Sequence, residues 1–87
     1  MSNQEVINKF MNGKSAKSSN GNLWTSSDNN RLMNYATCIA QRLSDGTFIV
    51  NSTKYSVTTS QIQTKVRRTL RNYKEVTDIR IHTAYLI

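Results

Sequence analysis

The sequence contains no proline, one cysteine and one histidine, and it has few acidic residues. The lone Cys38 cannot form a disulfide within the chain, and one Cys with one His cannot supply the usual kind of zinc site. There is no apolar run of about 18 residues, so we expect no transmembrane helix. The first residues also lack the basic-then-apolar pattern of a secretory signal. These absences predict a soluble cytosolic protein without a metal or other cofactor.

Positive charge is what the composition has in excess. The chain has 87 residues, with 12 Lys and Arg against five Asp and Glu, and a net charge of +7. A balance of this kind attracts polyanions such as nucleic acid, or the acidic face of another protein. Ser, Thr, Asn and Gln make up 34 of the 87 residues, and 37% are apolar. The length predicts a single small domain over residues 1–87.

Two segments have helical periodicity. Ser2 and Glu5 form a capping-box pattern at the start of a short helix within residues 1–13, and Gly13 suits its C-terminal cap. The second helix is predicted over residues 59–74, where Ser60 and Gln63 repeat the capping pattern. Its apolar stripe consists of Ile62, Val66, Leu70 and Tyr73.

Strand signals lie between and after these helices. Residues 31–57 predict a β-meander in which Asp45-Gly46 forms a two-residue type I′ turn. That turn would pair Leu43 with Phe48, Gln41 with Val50 and Arg42 with Ile49. Residues 76–83 alternate in polarity and predict a further strand. The polar segment 14–30 is either a loop or a loose hairpin, with a flexible linker as the competing interpretation.

These elements predict an α+β fold. A small antiparallel sheet of four to five short strands would carry one basic amphipathic helix on one face, and a short N-terminal helix would complete the domain. The apolar residues 84–87 and the amphipathic first helix also favour a homodimer, because a chain this short buries only a small core.

The candidate binding surface is basic. Cations follow one another along the second predicted helix without an acid between them, which suits phosphate contacts along a nucleic-acid backbone. They are Lys65, Arg67, Arg68, Arg71 and Lys74, and Lys54 and Arg42 are expected to extend the surface. An ordinary solvated helix face would mix charges of both signs.

Other residues have a binding or a structural interpretation. Trp24, Tyr35 and Tyr55 would stack on bases if they were exposed, although burial in the core or the sheet is the commoner fate of such residues. The hydroxyl-rich junction 51–60 either holds an anion at a helix N-terminus or caps its own backbone.

Catalysis has little support in the sequence. Asp78 and His82 would lie about 13 Å apart along a strand, too far for a hydrogen bond. Cys38 fits a small core residue. With no carboxylate pair, nucleophile motif or glycine-rich phosphate loop, we expect a protein that is not an enzyme.

Residues 35–68 resemble a small, uncharacterised family of bacteriophage proteins. The most distinctive stretch is V-N-S-T-K-Y-S-V-T-T-S at residues 50–60. In that family a His often follows T-T-S by two positions, where this chain has Ile62. The resemblance implies a viral origin and a place in the host cytoplasm, and it implies no biochemical activity.

Two functions are therefore expected to compete. The first is a non-enzymatic phage-type protein whose basic helix face engages nucleic acid or a nucleotide, away from any membrane. The alternative is an anti-defence inhibitor, for example an anti-CRISPR, that binds and occludes an acidic host or antiviral protein. A phage structural component is a third possibility.

Overall fold

The computed structural model describes residues 1–76. In chain order its elements are α1 (Asn3–Met11), β1 (Leu23–Thr25), β2 (Arg31–Asn34), β3 (Thr37–Arg42), β4 (Phe48–Asn51), α2 (Val57–Thr69) and β5 (Tyr73–Val76). The strands form one five-stranded sheet in the order β1 to β5. The predicted α+β class is confirmed.

The sheet is mixed, so the prediction of an antiparallel sheet is wrong at one position. Strands β1 to β4 pair antiparallel, whereas β4 and β5 are parallel. Parallel neighbours need a crossover connection, and α2 provides it between these two strands. The alternation of side chains along a strand predicts which face each side chain occupies. It does not predict whether the strand runs parallel or antiparallel to its neighbour.

Local signals determine α1. The Glu5 backbone N–H donates to Ser2 Oγ over 3.2 Å, and the Ser2 backbone N–H donates to Glu5 Oε1 over 3.0 Å. This is the predicted capping box, and its hydrogen bonds from Ser2 hold the pKa of Glu5 below its usual value. Gly13 follows the helix with φ of +74°, and the Lys14 N–H reaches back to the Lys9 carbonyl. That is the Schellman ending that glycine favours.

The polar segment 14–30 is a loose hairpin followed by a loop. Lys17 forms an isolated bridge with Trp24, and the turn between them closes through a hydrogen bond from Gly21 N–H to the Ser18 carbonyl. Leu23 is fully buried, which explains why a short strand begins in an otherwise polar stretch. The meander therefore starts at β1 and ends at Asn51, rather than covering residues 31–57.

The turn between β3 and β4 differs from the predicted one. Leu43 pairs with Thr47 around a three-residue loop, and Arg42, not Leu43, lies opposite Phe48. Only Gly46 in this loop has a positive φ, of +87°, so the turn is not type I′. Asp45 accepts hydrogen bonds from the Thr47 N–H and hydroxyl, which stabilises the longer loop.

The second helix begins and ends earlier than predicted. Its N-cap is Ser56, whose side chain accepts from the Thr59 N–H over 3.2 Å, and the helix stops at Thr69 instead of residue 74. The predicted pairing of Ser60 with Gln63 does not form, because Gln63 is buried and donates to backbone carbonyls elsewhere. Beyond the helix, Tyr73 lies on β5 opposite Phe48.

The predicted strand at 76–83 falls mostly beyond the part of the chain that the structure describes. Only Val76 belongs to β5, and the rest of that strand lies outside the described residues, as do Asp78, His82 and residues 84–87.

The main core lies between the two helices and one sheet face. Its buried residues are Val6, Ile7, Phe10, Leu23, Leu32, Ile39, Ala40, Val50, Ile62, Val66 and Leu70. A bulge where the β2–β3 register shifts lets the consecutive residues Ile39 and Ala40 both join this core. A second cluster of Cys38, Ile49 and Val76 shows that the other face of the sheet also carries buried apolar side chains.

Candidate functional site

The cations of α2 point in different directions. Lys65 and Arg68 are exposed to solvent, whereas Arg67 lies on the side of the helix that meets β5. Arg67 Nε is 3.6 Å from Oε1 of Glu75, so part of its charge is neutralised. A half-exposed pair of this kind contributes little to stability. Lys65 and Arg68 are therefore the helix cations that are open to a ligand.

Arg71 and Lys74 lie outside the helix, which corrects the predicted arc of five cations along one helix. Arg71 follows the end of α2 in a short loop, and Lys74 lies on β5; both are exposed. Hydrogen bonds from Thr47 lower the pKa of Asp45, and the nearby charge of Lys74 adds a smaller effect. Lys65, Arg68 and Arg71, which we call the basic surface, lie on the exposed side of α2 and just beyond its C-terminal end. Lys74 lies on the other face of the sheet, because Tyr73 and Glu75 face the helices and Lys74 pairs with Ile49.

Arg42 is a structural residue. Its guanidinium donates to the carbonyls of Phe10, Met11 and Asn29, which join the end of α1 to the loop before β2. The same group lies 5.4 Å from the ring centroid of Phe10 and 5.1 Å from that of Phe48. Its donors and its face are engaged within the fold, so Arg42 does not extend the basic surface.

Lys54 is exposed in the loop before α2, at the other end of that helix. A helix of 13 residues is about 20 Å long. Lys54 and Arg71 are thus separated by roughly that distance. Lys54 belongs to a different part of the surface from the three cations of the basic surface.

The hydroxyl-rich junction between β4 and α2 satisfies its own backbone. Asn51 is fully buried, donates to the Cys38 carbonyl and the Tyr55 hydroxyl, each over 2.9 Å, and accepts from the Thr53 N–H. Gln63 donates to the carbonyls of Asn51 and Thr53 over 2.7 and 3.0 Å. These bonds support the capping interpretation of residues 51–60.

Tyr35 is the most exposed aromatic residue in the described part of the chain. It occupies the two-residue turn between β2 and β3, with φ of +55° and 61% of its surface exposed. Its backbone N–H donates to the Asn22 carbonyl over 2.9 Å. The sequence named Tyr35 as a stacking candidate but did not show this turn, because neither Tyr35 nor Ala36 is a usual turn residue.

The other two aromatic candidates are partly covered. Trp24 is half-buried on β1 opposite Met33, as expected for a sheet residue. Tyr55 is 39% exposed, and its hydroxyl accepts from the Asn51 side chain. Sequence patterns place these side chains near the sheet, but they do not distinguish a half-buried ring from an exposed one.

An open cleft runs beside β1. Its volume is about 600 Å³, which is within the usual range for small-ligand sites. The cleft is lined by Ser15, Ala16, Lys17, Gly21, Trp24 and Thr25. No pattern in the sequence pointed to this cleft, because residues 15–17 reach Trp24 only through the loose hairpin.

Within residues 1–76 no three His, Cys, Asp or Glu side chains come together as metal ligands. Cys38 is buried, and its Sγ lies 3.4 Å from the Ala40 carbonyl. Asp78 and His82, the other candidates, lie outside the described residues.

Comparisons with known proteins return no match to a family model, to a curated protein or to a solved structure. The resemblance of residues 35–68 to phage proteins therefore stays a prediction. Among residues 1–76, neither helix is long and apolar enough to cross a membrane.

Proposed function

We propose that this protein binds nucleic acid without catalysing a reaction. The observation that carries the proposal is the basic surface. Its three cations, Lys65, Arg68 and Arg71, are exposed, and the ion pair with Glu75 is made by Arg67 instead. Exposed Lys and Arg side chains without acidic partners suit contacts with successive phosphates.

Salt dependence tests this proposal. Binding of fluorescent single-stranded and duplex DNA and RNA would be followed by anisotropy over a range of salt concentrations. Affinity should fall steeply with salt, because phosphate contacts release counterions. Combined replacement Arg68→Ala and Arg71→Ala should reduce the slope by about 0.7 per lost contact for a single strand, or about 0.9 for a duplex.

A charge-matched control separates a local surface from general attraction. Lys9 and Lys14 are exposed near the C-terminal end of α1, and replacing both by Ala removes the same charge. We expect this control to keep most of the salt slope. Equal effects of the two double variants would contradict the basic surface, and no binding at low salt would overturn the proposed function.

An inhibitor of a host or antiviral protein is the second candidate, and one observation favours it. Val57 is 77% exposed at the first position of α2, and Tyr35 is exposed in the β2–β3 turn. The hydrogen bond from the Thr59 hydroxyl to Asn34 brings the Tyr35 turn beside the first turn of α2, and exposed apolar side chains that lie together are typical of protein contact sites. A pull-down from host lysate treated with nuclease, comparing wild type with Val57→Ser, tests this candidate.

A further inference from the structure

The backbone at Tyr35 is in a conformation that its side chain does not favour. A φ of +55° is ordinary for glycine and tolerated by asparagine, and it is a steric outlier for a bulky aromatic residue. Burial of the ring does not offset the strain, because 61% of the residue is exposed. Strained backbone that supports an exposed side chain points to a use of that side chain.

The turn that presents Tyr35 is held from two directions. Asn34 is 1% exposed, and its side chain donates to the Asn22 carbonyl over 2.9 Å and accepts from the Thr59 hydroxyl over 2.8 Å. The first bond ties the turn to the residue before β1, and the second ties it to the first turn of α2. Tyr35 itself donates its N–H to the same Asn22 carbonyl. The ring is thus presented by a rigid support, which lowers the entropy cost of binding.

The cleft beside β1 adjoins this turn through Asn22. Gly21 lines the cleft, and the next residue is the one whose carbonyl holds Tyr35. A side chain at position 21 would come within 3.3 Å of Cε of Lys17, so the glycine lets that lysine lie along the cleft. Trp24 supplies an aromatic wall. The half-buried ring of Trp24, the paired Lys17 and the exposed ring of Tyr35 thus lie on neighbouring segments of the chain.

Lys17 is the charged residue that lines the cleft, so the cleft itself favours an anionic ligand. Glu5 lines a separate pocket with Ser18, Ser19 and Asn20, and its carboxylate accepts from the Ser2 N–H. Asp28 and Asp45 lie in the β1–β2 and β3–β4 loops, at the end of the sheet opposite to the Tyr35 turn. Their carboxylates accept hydrogen bonds from Ser26 and Thr47 in their own loops. Lys17 lines the cleft, and Lys54 follows β4 at the same end of the sheet as the Tyr35 turn.

We propose that Tyr35 and the cleft of Lys17 and Trp24 form a binding site for an unpaired stretch of nucleic acid. Tyr35 stacks on one base, Trp24 contacts a neighbouring base, and Lys17 neutralises a phosphate. A ring at the tip of a turn reaches the face of a base only when that base is not stacked within a duplex. This inference rests on the proposed nucleic-acid binding and narrows it to single strands.

The single tryptophan of the chain makes the test direct. Trp24 fluorescence would be titrated with an oligothymidylate of about 20 nucleotides, which exceeds the usual site size of small single-strand binders, and with a hairpin duplex that has equally many phosphates. We expect the single strand to quench Trp24 and to bind more tightly than the duplex. Tyr35→Asn, which suits a positive φ, should weaken single-strand binding by about 5- to 150-fold, and Tyr35→Phe should keep it.

The possible results distinguish the Tyr35 site from the proposed nucleic-acid binding. Unchanged single-strand affinity in Tyr35→Asn, or tighter binding of the duplex, would overturn the site while leaving the proposed nucleic-acid binding in place. No binding of either oligonucleotide would overturn both. If Tyr35→Asn instead disrupted a defined complex with a protein and no oligonucleotide bound, the site would be a protein-docking surface. Circular dichroism of the two variants would confirm that both are folded.

Discussion

Arg42 binds Phe10 twice, through a hydrogen bond from its guanidinium to the Phe10 carbonyl and through contact between the guanidinium and the Phe10 ring. It also donates to the Met11 carbonyl, so it places a positive charge on the C-terminal end of α1. Cations at this end of a helix are favourable, because the last carbonyls lack partners within the helix. Arg42 thereby joins β3 to α1, and its charge is used for folding rather than for a ligand.

Replacing Arg42 by Met should therefore destabilise the protein. The variant keeps much of the aliphatic stem but loses three charge-assisted hydrogen bonds, and we expect the free energy of unfolding to fall by about 2–3 kcal/mol. Arg68→Met, which removes the same charge from the exposed face of α2, should change it by less than about 0.5 kcal/mol. Urea unfolding of both variants provides the measurement. Similar losses in the two would contradict the structural role of Arg42.

The buried amide of Gln63 leads to a second stability prediction. Gln63→Leu removes the donor shared by the Asn51 and Thr53 carbonyls, and such a loss costs about 1–3 kcal/mol. Gln61→Leu is the matched control, because Gln61 is exposed on the same helix. Its effect should stay within about 0.5 kcal/mol. Thermal or urea unfolding that ranks the two variants the other way would show that Gln63 does not support the junction.

Features that depend on a few neighbouring residues could be predicted from the sequence. The capping box of Ser2 with Glu5 and the positive φ of Gly13 are of this kind, since each is decided within one turn of chain. The predicted register around Asp45-Gly46 was wrong because the same residues also fit a three-residue loop that ends in glycine. The predicted end of α2 was wrong because Tyr73 pairs with β4 as part of a strand and does not extend the helix.

The candidate site shows the same division. The abundance of cations was evident from the composition, and three of the seven predicted residues, Lys65, Arg68 and Arg71, form the basic surface. The engagement of Arg42 with α1 joins residues about 30 positions apart in sequence, which periodicity does not reveal. The Tyr35 turn was hidden for a related reason: its conformation is imposed by Asn22 and Thr59 from distant parts of the chain.

Acid should weaken the β3–β4 turn through Asp45. The Thr47 hydroxyl, 2.6 Å from the carboxylate, and the Thr47 N–H lower the pKa of Asp45 in the folded protein. Because the pKa of Asp45 is lower in the folded than in the unfolded protein, its carboxylate stabilises the fold at pH values above the unfolded pKa, near 3.9. That stability is lost as the pH falls through the folded pKa. Asp45→Asn should therefore have a lower melting temperature than wild type at neutral pH, and the difference should disappear as the pH falls through the folded pKa of Asp45. A carboxyl titration by NMR that placed the pKa of Asp45 above 4 would contradict this prediction.

Tyr35→Gly should stabilise the protein although it removes a large side chain. Relief of the positive φ should raise the free energy of unfolding by about 1–2 kcal/mol. The greater freedom of glycine in the unfolded chain should lower it by about 0.5–1 kcal/mol. The net gain should be up to about 1.5 kcal/mol in urea unfolding, by difference of those two effects. Ala36→Gly is the control one residue further along, where φ is not positive, and it should lose about 0.5–1 kcal/mol. If Tyr35→Gly were instead less stable than wild type, the ring would be held for packing, and the strain at this turn would give no reason to assign it a ligand.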